Sequence, residues 1–575
     1  MRWVAVALGA WVVGAAVGET GTNVFESKTL LSPGHRIDSI VFAWLSSLGH
    51  RPALCSDAVF VRRVYLDVLG TLPTAREARE FIQDADVQHK RARLIDRLLQ
   101  REEYADYWAM KWGDVLRIKA EFPVNLWPNA AQAYHRWVRT AIAENRPYDG
   151  FVRDLLTASG SNFRVGAVNF YRALQNRTPE GIADAVALTF LGARAEAWPT
   201  NRRADLAVFF SQVGYKPTGE WKEEHVFWDP LGSSTLAGSS APGRPTPTPI
   251  EPGTNDLALA FAPAPGRTNA LPPEATFPDG TRSARPVNRD PRAVFADWLI
   301  RPKNPWFTRC IANRVWAWLL GRGIVHEPDD LRDDNPPSAP ALLACLEKET
   351  VAGHYDLKHL QRFILNSQTY QLAPSSLAGE PLAETDPAVY SLRRLDAEVL
   401  IDALNQITGS SDLYTSPIPE PFTYIPANQP AVAIADGSIT SPFLALFGRS
   451  ARATGMASER NNKPVPAQWL HLLNSSHIQR KLEQGPRLKA LLDSARPPSE
   501  TADELFLTVL SRFPTPEELE CLRAYSPTLP SRSGSTRRTS ASPQPSDSTW
   551  GPKRREDWVD IAWALINSTE FLYRH

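Results

Sequence analysis

Apolar residues along this chain recur at the spacing of helices. The stretch from Trp306 to Asn335, WFTRCIANRVWAWLLGRGIVHEPDDLRDDN, is the fullest case. Ile311, Val315, Trp318 and Leu319 share one helical face, with Asn313, Arg314 and Trp316 on or near its edge. Gly321 and Gly323 then stop the helix, since glycine accepts the left-handed backbone that ends one. A polar run follows, with Glu327, Asp329, Asp330, Asp333 and Asp334 set among Arg322 and Arg332. A hydrophobic helix that delivers its end into acids and arginines is the pattern of a site or of a rigid polar joint.

The same period predicts helices over Ile37–Leu48, Phe60–Val68, Arg91–Leu99, Asp184–Leu191, Ala341–Val351, Leu357–Leu365, Leu392–Ile407, Gln468–Gln484 and Ala502–Leu510, and from Trp558 to the end. Strand signals are confined to Leu257–Phe261 and the surroundings of Phe277. SGSNF from Ser159 reads as a turn or exposed loop. Gly409–Pro466 is a long irregular region, and loops of that length are usually functional or disordered. The expected fold is mainly α: a multi-helical two-domain body with a Pro/Gly-rich linker and at most a few short strands. Its parts run 35–229, 230–289 for the linker, and 290–575, with a Pro/Ser/Arg-rich insert at 526–552 read as disordered.

One pattern occurs twice. LDVLGTLPTARE from Leu66 resembles LTVLSRFPTPEE from Leu507. Thr74 with Glu77 and Thr515 with Glu518 are matching capping boxes, in which each side chain satisfies a free amide of the other's turn. LLQREEY from Leu98 and LINSTEF from Leu565 extend the match, and ILNSQTY ending at Tyr370 echoes its tail. The two copies are expected to adopt one helix–turn–helix shape.

Composition narrows the class. The chain has 575 residues, 43% hydrophobic and 22% charged, with lysine plus arginine equal to aspartate plus glutamate at 63 each. That balance gives no support to a nucleic-acid partner. The 18 tryptophans would suit flat, weakly polar ligands such as sugars wherever they are exposed. Residues 1–18 read as a signal peptide: Arg2, an apolar stretch Trp3–Val13, then Ala16-Val17-Gly18 before a cut. The expected location is therefore exported, periplasmic or secreted, with no membrane span after cleavage. Cys55, Cys310, Cys345 and Cys521 lie far apart with no C-x-x-C-H, so no haem attached in the c-type manner is expected; disulfides and buried thiols both stay open.

The chemistry-bearing residues form no complete catalytic motif. Asp329, Asp330 and Asp333 could hold calcium, which takes several oxygen ligands. The alternating D-x-D-x-D-G of a calcium loop is absent, and a loop whose acids pair with Arg322 and Arg332 is the plainer reading. No cofactor and no metal is expected. Arg393, Arg394, Asp396 and Glu398, in RRLDAE, read as an ion-paired helix start, although arginine's rigid fork also suits a sulfate or carboxylate. Asp114 and Glu121, near Trp112 and Trp127, could be a carboxylate pair for glycoside cleavage, or structural partners of Arg117 and Lys119. The candidate site comprises Arg62, Arg63, Trp112, Asp114, Arg117, Arg314, Asp329, Asp330, Asp333, Arg394 and Asp396. The loop from Glu327 to Asn335 is expected to face a cleft shared with the first segment, with Arg62, Arg63 and Arg117 balancing its charge.

RRVYLDVLGTLPT, the segment from Trp108 to Arg117 and ENRPYDGFVRDLL resemble the domain-of-unknown-function family 1549, also called the planctomycete cytochrome-associated family. DPRAVFADWLI, NPWFTRCIANRVWAWLLGRGIVHEPDDLR, LKHLQRFILNSQTYQ, RRLDAEVLIDAL and WALINSTEFLYRH resemble its usual companion, family 1553. The resemblance spans about Asp57 to His575. It implies an exported, mainly helical protein associated with polysaccharide-degrading functions and with a sulfatase-like family of exported proteins, and it supplies no established reaction. One departure matters: Phe190-Leu191-Gly192 is followed by ARAEAWPTN, where many members carry C-x-x-C-H-x-H-P. The expected role is binding or assembly in polysaccharide utilisation, with a polysaccharide or an exported sulfatase-like protein as partner. The alternatives are a hydrolase or lyase acting on a sulfated or acidic polysaccharide, and a redox-associated protein that has lost its haem motif. Whether the chain is an enzyme stays open.

Overall fold

Helix ends in this protein are set by local side chains. Ser56 accepts the Val59 amide ahead of helix Asp57–Val68, Asp356 caps Leu357–Leu365, and Ser568 caps Thr569–Leu572. Both capping boxes form, Thr74 with Glu77 before Ala75–Gln83 and Thr515 with Glu518 before Pro516–Ala524. Gly321 ends helix Phe307–Leu320 at φ 95°. The computed structural model describes residues 24–49, 52–121, 126–231, 274–284, 288–373, 390–525, 550 and 553–575. The expected signal peptide, most of the linker with its strand at Leu257–Phe261, and nearly all of the 526–552 insert lie outside the described residues.

The architecture is mainly α, as the periodicity predicts. Strands are short: Gly160–Ser161, Val213–Pro217 and Glu224–Trp228 make a three-stranded antiparallel sheet, Glu274–Thr276 pairs with Arg282–Ala284, and Arg393–Arg394 pairs with Tyr573–Arg574. Four expectations are corrected here. Strands are not confined to the linker, because β-branched and aromatic residues in YKP and EHVFW find partners across a turn. SGSN is an edge of that sheet, with Gly160 opposite Val226. RRLDAE is not a helix start throughout: Arg393 and Arg394 are strand, and the helix runs Ala397–Thr408. The predicted helix Gln468–Gln484 is two, Pro466–Asn474 and Ser476–Gln484, broken where Ser475 turns extended to cap the second.

The two segments share one core. A continuous apolar cluster runs from Ile37 to Leu572, and helix Asp57–Val68 is buried on every side from Val59 to Val68. The ends of the chain pack into the middle. Asp38 accepts the amides of Gln368 and Thr369, and the Cys55 amide donates to Gln371. Arg63 donates to the carbonyls of Tyr370, Leu372 and His575. Asp67, wholly buried, accepts from Tyr370 and Tyr390 at 2.9 Å each, from Arg393 at 3.1 Å and from Arg574 at 2.8 Å. One carboxylate thereby fastens the first segment to residues more than 300 positions away.

The repeat is real in three dimensions. Gly70 and Ser511 occupy the same place in the two copies and both are left-handed, at φ 66° and 62°. The copies pack on each other through Ala75, Ala78 and Leu507, and Arg79 reaches Glu504 at 2.8 Å. All four cysteines are free thiols, Cys55 and Cys310 buried and Cys521 exposed. Among the described residues, no helix is long and apolar enough to cross a membrane.

Candidate functional site

A cleft of about 790 Å³ lies where the two segments meet. Helix Glu102–Val115 gives it Lys111 and Asp114, three residues apart and so on one helical face. Helix Phe307–Leu320 gives Arg314 and Trp318, and the chain leaving it gives Arg322, His326, Glu327 and Asp329. Gly321 allows that exit, because any Cβ there would overlap the Arg393 guanidinium. The short strand supplies Arg393 and Arg394, and the irregular stretch Met456–Pro464 forms the remaining wall.

Ion pairs fix these walls. Arg314 meets Asp329 at 2.9 Å and donates to the Thr189 carbonyl at 2.7 Å, while the other Asp329 oxygen accepts the Ala457 amide at 2.6 Å. Asp114 accepts from Arg452 at 3.0 Å and from Arg460 at 2.7 Å. Arg460 continues to Glu398 at 2.6 Å. Asp396 accepts from Lys111 at 2.7 Å, Arg574 at 3.0 Å and Asn462 at 2.7 Å. Burial alone would raise the Asp396 and Glu398 carboxyls, but the cations outweigh it: Lys111, Arg460 and Arg574 hold Asp396 well below the usual range, and Arg460 and Arg449 hold Glu398 at about 2. Both stay ionised at any physiological pH.

The cleft wall carries seven lysine and arginine side chains, Lys111, Arg314, Arg322, Arg393, Arg394, Arg460 and Lys463, against three carboxylates, Asp114, Glu327 and Asp329. Arg394 is buried and spends Nη2 on the Phe447 carbonyl at 2.6 Å and Nε on the Asn462 carbonyl at 3.2 Å. Its Nη1 has no partner among the described residues. Burial pulls the Arg394 guanidinium below its ordinary value, against the opposing pull of Asp396. A guanidinium nitrogen left without an acceptor has the chemistry to take a carboxylate or sulfate oxygen.

The sequence candidates divide. Arg314, Asp329, Arg394 and Asp114 converge in the cleft, and Asp396 stands directly behind Lys111 and Asn462. The rest do not. Arg62 donates to the carbonyls of Val509 and Phe571, and with Arg63 it ties the chain's ends together, so neither balances the acidic loop. Arg117, at φ 58°, is buried against Thr454 and Thr189. Trp112 lies beneath the wall, its ring 5.5 Å from that of Trp318. Asp330 pairs at 2.8 Å with Arg332 outside the cleft, and Asp333 is exposed, so from this loop Glu327, Pro328 and Asp329 line the cleft, while the Leu331 amide donates to the Gly192 carbonyl of the first segment at 2.7 Å. Glu121 pairs at 3.9 Å with Lys119 and does not line the cleft with Asp114, so the carboxylate pair does not form. Among the described residues no three His, Cys, Asp or Glu side chains come together as metal ligands.

Sequence reasoning missed Lys111, Arg460, Asn461, Asn462 and Lys463 as site residues. The signal available was ERNNKP from Glu459, a run of charges and amides before a proline inside the long irregular region.

Residues 36–196 match the family model described as PSCyt2, protein of unknown function (DUF1549). Residues 291–526 match PSD1, protein of unknown function (DUF1553), so the two follow one another in the order expected. No curated protein and no solved structure matches this chain.

Proposed function

From a chain that carries the DUF1549 and DUF1553 segments in that order, we propose that the protein is an exported binding protein that holds an acidic or sulfated glycan in the cleft between them. The observation that carries this reading is the partnerless Nη1 of buried Arg394 in a cleft wall that also presents exposed Lys463. Sulfate and carboxylate groups match the guanidinium fork, and Asn461, Asn462 and Ser458 offer neutral partners for hydroxyls. The residues present favour binding over cleavage: both oxygens of Asp114 and both of Asp329 already accept hydrogen bonds from the protein, which leaves neither carboxyl free to act on a glycosidic bond.

Calorimetric titration with chondroitin sulfate oligosaccharides, against neutral dextran of the same length, tests the proposal. Binding of the sulfated chain alone is expected, weakening as salt is raised because exposed charges are screened. Lys463→Glu reverses one exposed charge at the rim and should weaken binding about tenfold, an effect of ~1.4 kcal/mol. Equal affinity for dextran, or affinity unchanged in Lys463→Glu, would sink the reading.

A further inference from the structure

A second cavity, of about 300 Å³, lies apart from the basic cleft, between helix Pro128–Ala143 and the irregular stretch 423–439. That volume is at the lower end of small-molecule pockets, ~300–1,000 Å³. Three of its lining groups have a buried polar atom with no hydrogen-bond partner among the described residues: His135 Nε2, Thr423 Oγ1 and Asp436 Oδ2. His135 is 6% exposed, Thr423 4% and Asp436 2%. Three such atoms around one cavity are costly to leave unmet, so each calls for an occupant that meets it.

Their chemistry selects the occupant. The other Asp436 oxygen already accepts the amides of Ala120 at 2.7 Å and Ser438 at 2.8 Å, so the carboxylate is fixed in place. Oδ2 therefore asks for a donor, and it repels an anion. A cation is disfavoured by Arg136 and Arg139 at the rim. Burial, with Arg452 and Arg139 nearby, pushes the His135 imidazole down to about 3, so it is neutral and offers one nitrogen. Thr423 can donate or accept. At the mouth, Tyr424 is 71% exposed, and Phe422 beside it is 47% exposed with its ring 5.2 Å from that of Trp127. Large aromatic rings left in water beside a cavity mark an interaction surface.

We propose that this cavity is a binding site for an uncharged polyhydroxylated ring, a neutral sugar unit, with hydroxyls donating to Asp436 and His135 and meeting Thr423, and with Tyr424 covering one face. A sugar hydroxyl both donates and accepts, which is what this mixed set of groups requires. The aromatic ring covers the apolar C–H face that such a unit presents. The site stands independently of the basic cleft, because its recognition groups and its ligand charge are different.

Saturation-transfer NMR on the full chain, with the methyl glycosides of glucose, galactose, mannose and xylose as probes, tests it. Transfer to at least one probe is expected. Tyr424→Ala is exposed and should keep the melting curve of the parent while weakening that binding about tenfold or more, ~1.4 kcal/mol. Tyr424→Phe should retain it, and Lys463→Glu should leave it unchanged. No transfer to any of the four probes, as expected of a cavity that holds water only, overturns the proposal. So does transfer that survives Tyr424→Ala, or that disappears in Lys463→Glu.

Discussion

Neighbouring aspartates in this protein have opposite weights. Asp329 is buried between Arg314 and the Ala457 amide, whereas Asp330 meets a half-exposed Arg332. Asp329→Ala leaves a buried guanidinium without its partner and should cost about 3–5 kcal/mol, read from chemical unfolding. Asp330→Ala should cost no more than ~1 kcal/mol. Equal losses would show that the loop's charges act as one. Acid lability follows from single residues too. His135 is held neutral down to about 3, chiefly by burial, so the unfolded chain binds the extra proton and stability falls as pH drops from 6.5 toward 3. Glu398, at about 2 in the fold against 4.5 ordinarily, contributes stability that is present above 4.5 and lost as pH falls toward 2. His575, also held down at about 3 chiefly by burial, adds to the His135 effect, whereas Asp402, raised by burial to about 7, opposes it between 7 and 3.8. The melting temperature should therefore decline gently below pH 6.5 and steepen below 4.5, and Glu398→Gln should flatten the lower part. A melting temperature that rises on acidification from pH 6.5 to 4 would contradict the burial of the two histidines. Neither aspartate's role was readable beforehand, since DDLRDD gives five charges and no direction for any of them.

At the scale of the element, the paired helix–turn–helix units provide a controlled comparison. Each needs a left-handed residue between its helices. The first uses Gly70, where a Cβ would overlap the Tyr107 ring; the second uses Ser511, buried, with a hydroxyl that has no partner among the described residues. Ser511→Gly relieves the strained backbone and removes that hydroxyl, and should stabilise the protein by about 1 kcal/mol. Gly70→Ser should destabilise it by more. The reciprocal outcome in thermal unfolding would mean that the two turns are not equivalent. Capped helices such as Leu357–Leu365 were legible in the sequence because cap, period and end are all local. The strand Arg393–Arg394 was not, because its partner Tyr573–Arg574 lies some 180 residues away and nothing local marks the pairing.

The whole molecule is fastened by charge as well as by its core. Asp67, Arg574, Asp396, Arg460 and Glu398 alternate in sign from the first segment to the floor of the basic cleft. Asp67→Ala should cost about 3–5 kcal/mol, and because it unties both ends of the chain the loss should be cooperative. Unfolding followed by tryptophan fluorescence and by far-UV circular dichroism should give coincident transitions. A separate early transition for one segment would mean that the joint does not couple them. Arg452 joins the two cavities: its Nε holds Asp114 of the cleft and its Nη1 donates to the Ala435 carbonyl at the second pocket.

The sequence by itself determined the mainly helical class, most helix positions, the duplicated unit and the arrival of Arg314 and Asp329 at one polar end. Periodicity, capping side chains and glycine stops act within a few residues, so a linear reading contains them. Only the tertiary structure decided that Lys111 and Asp114 face Arg460 and Asn462, that Arg62 and Arg63 serve as ties and not as ligands, and that His135, Thr423 and Asp436 surround one cavity. Those relations join residues tens to hundreds of positions apart. A side chain's role there depends on which groups the packed chain sets opposite it, and composition and spacing carry no record of that.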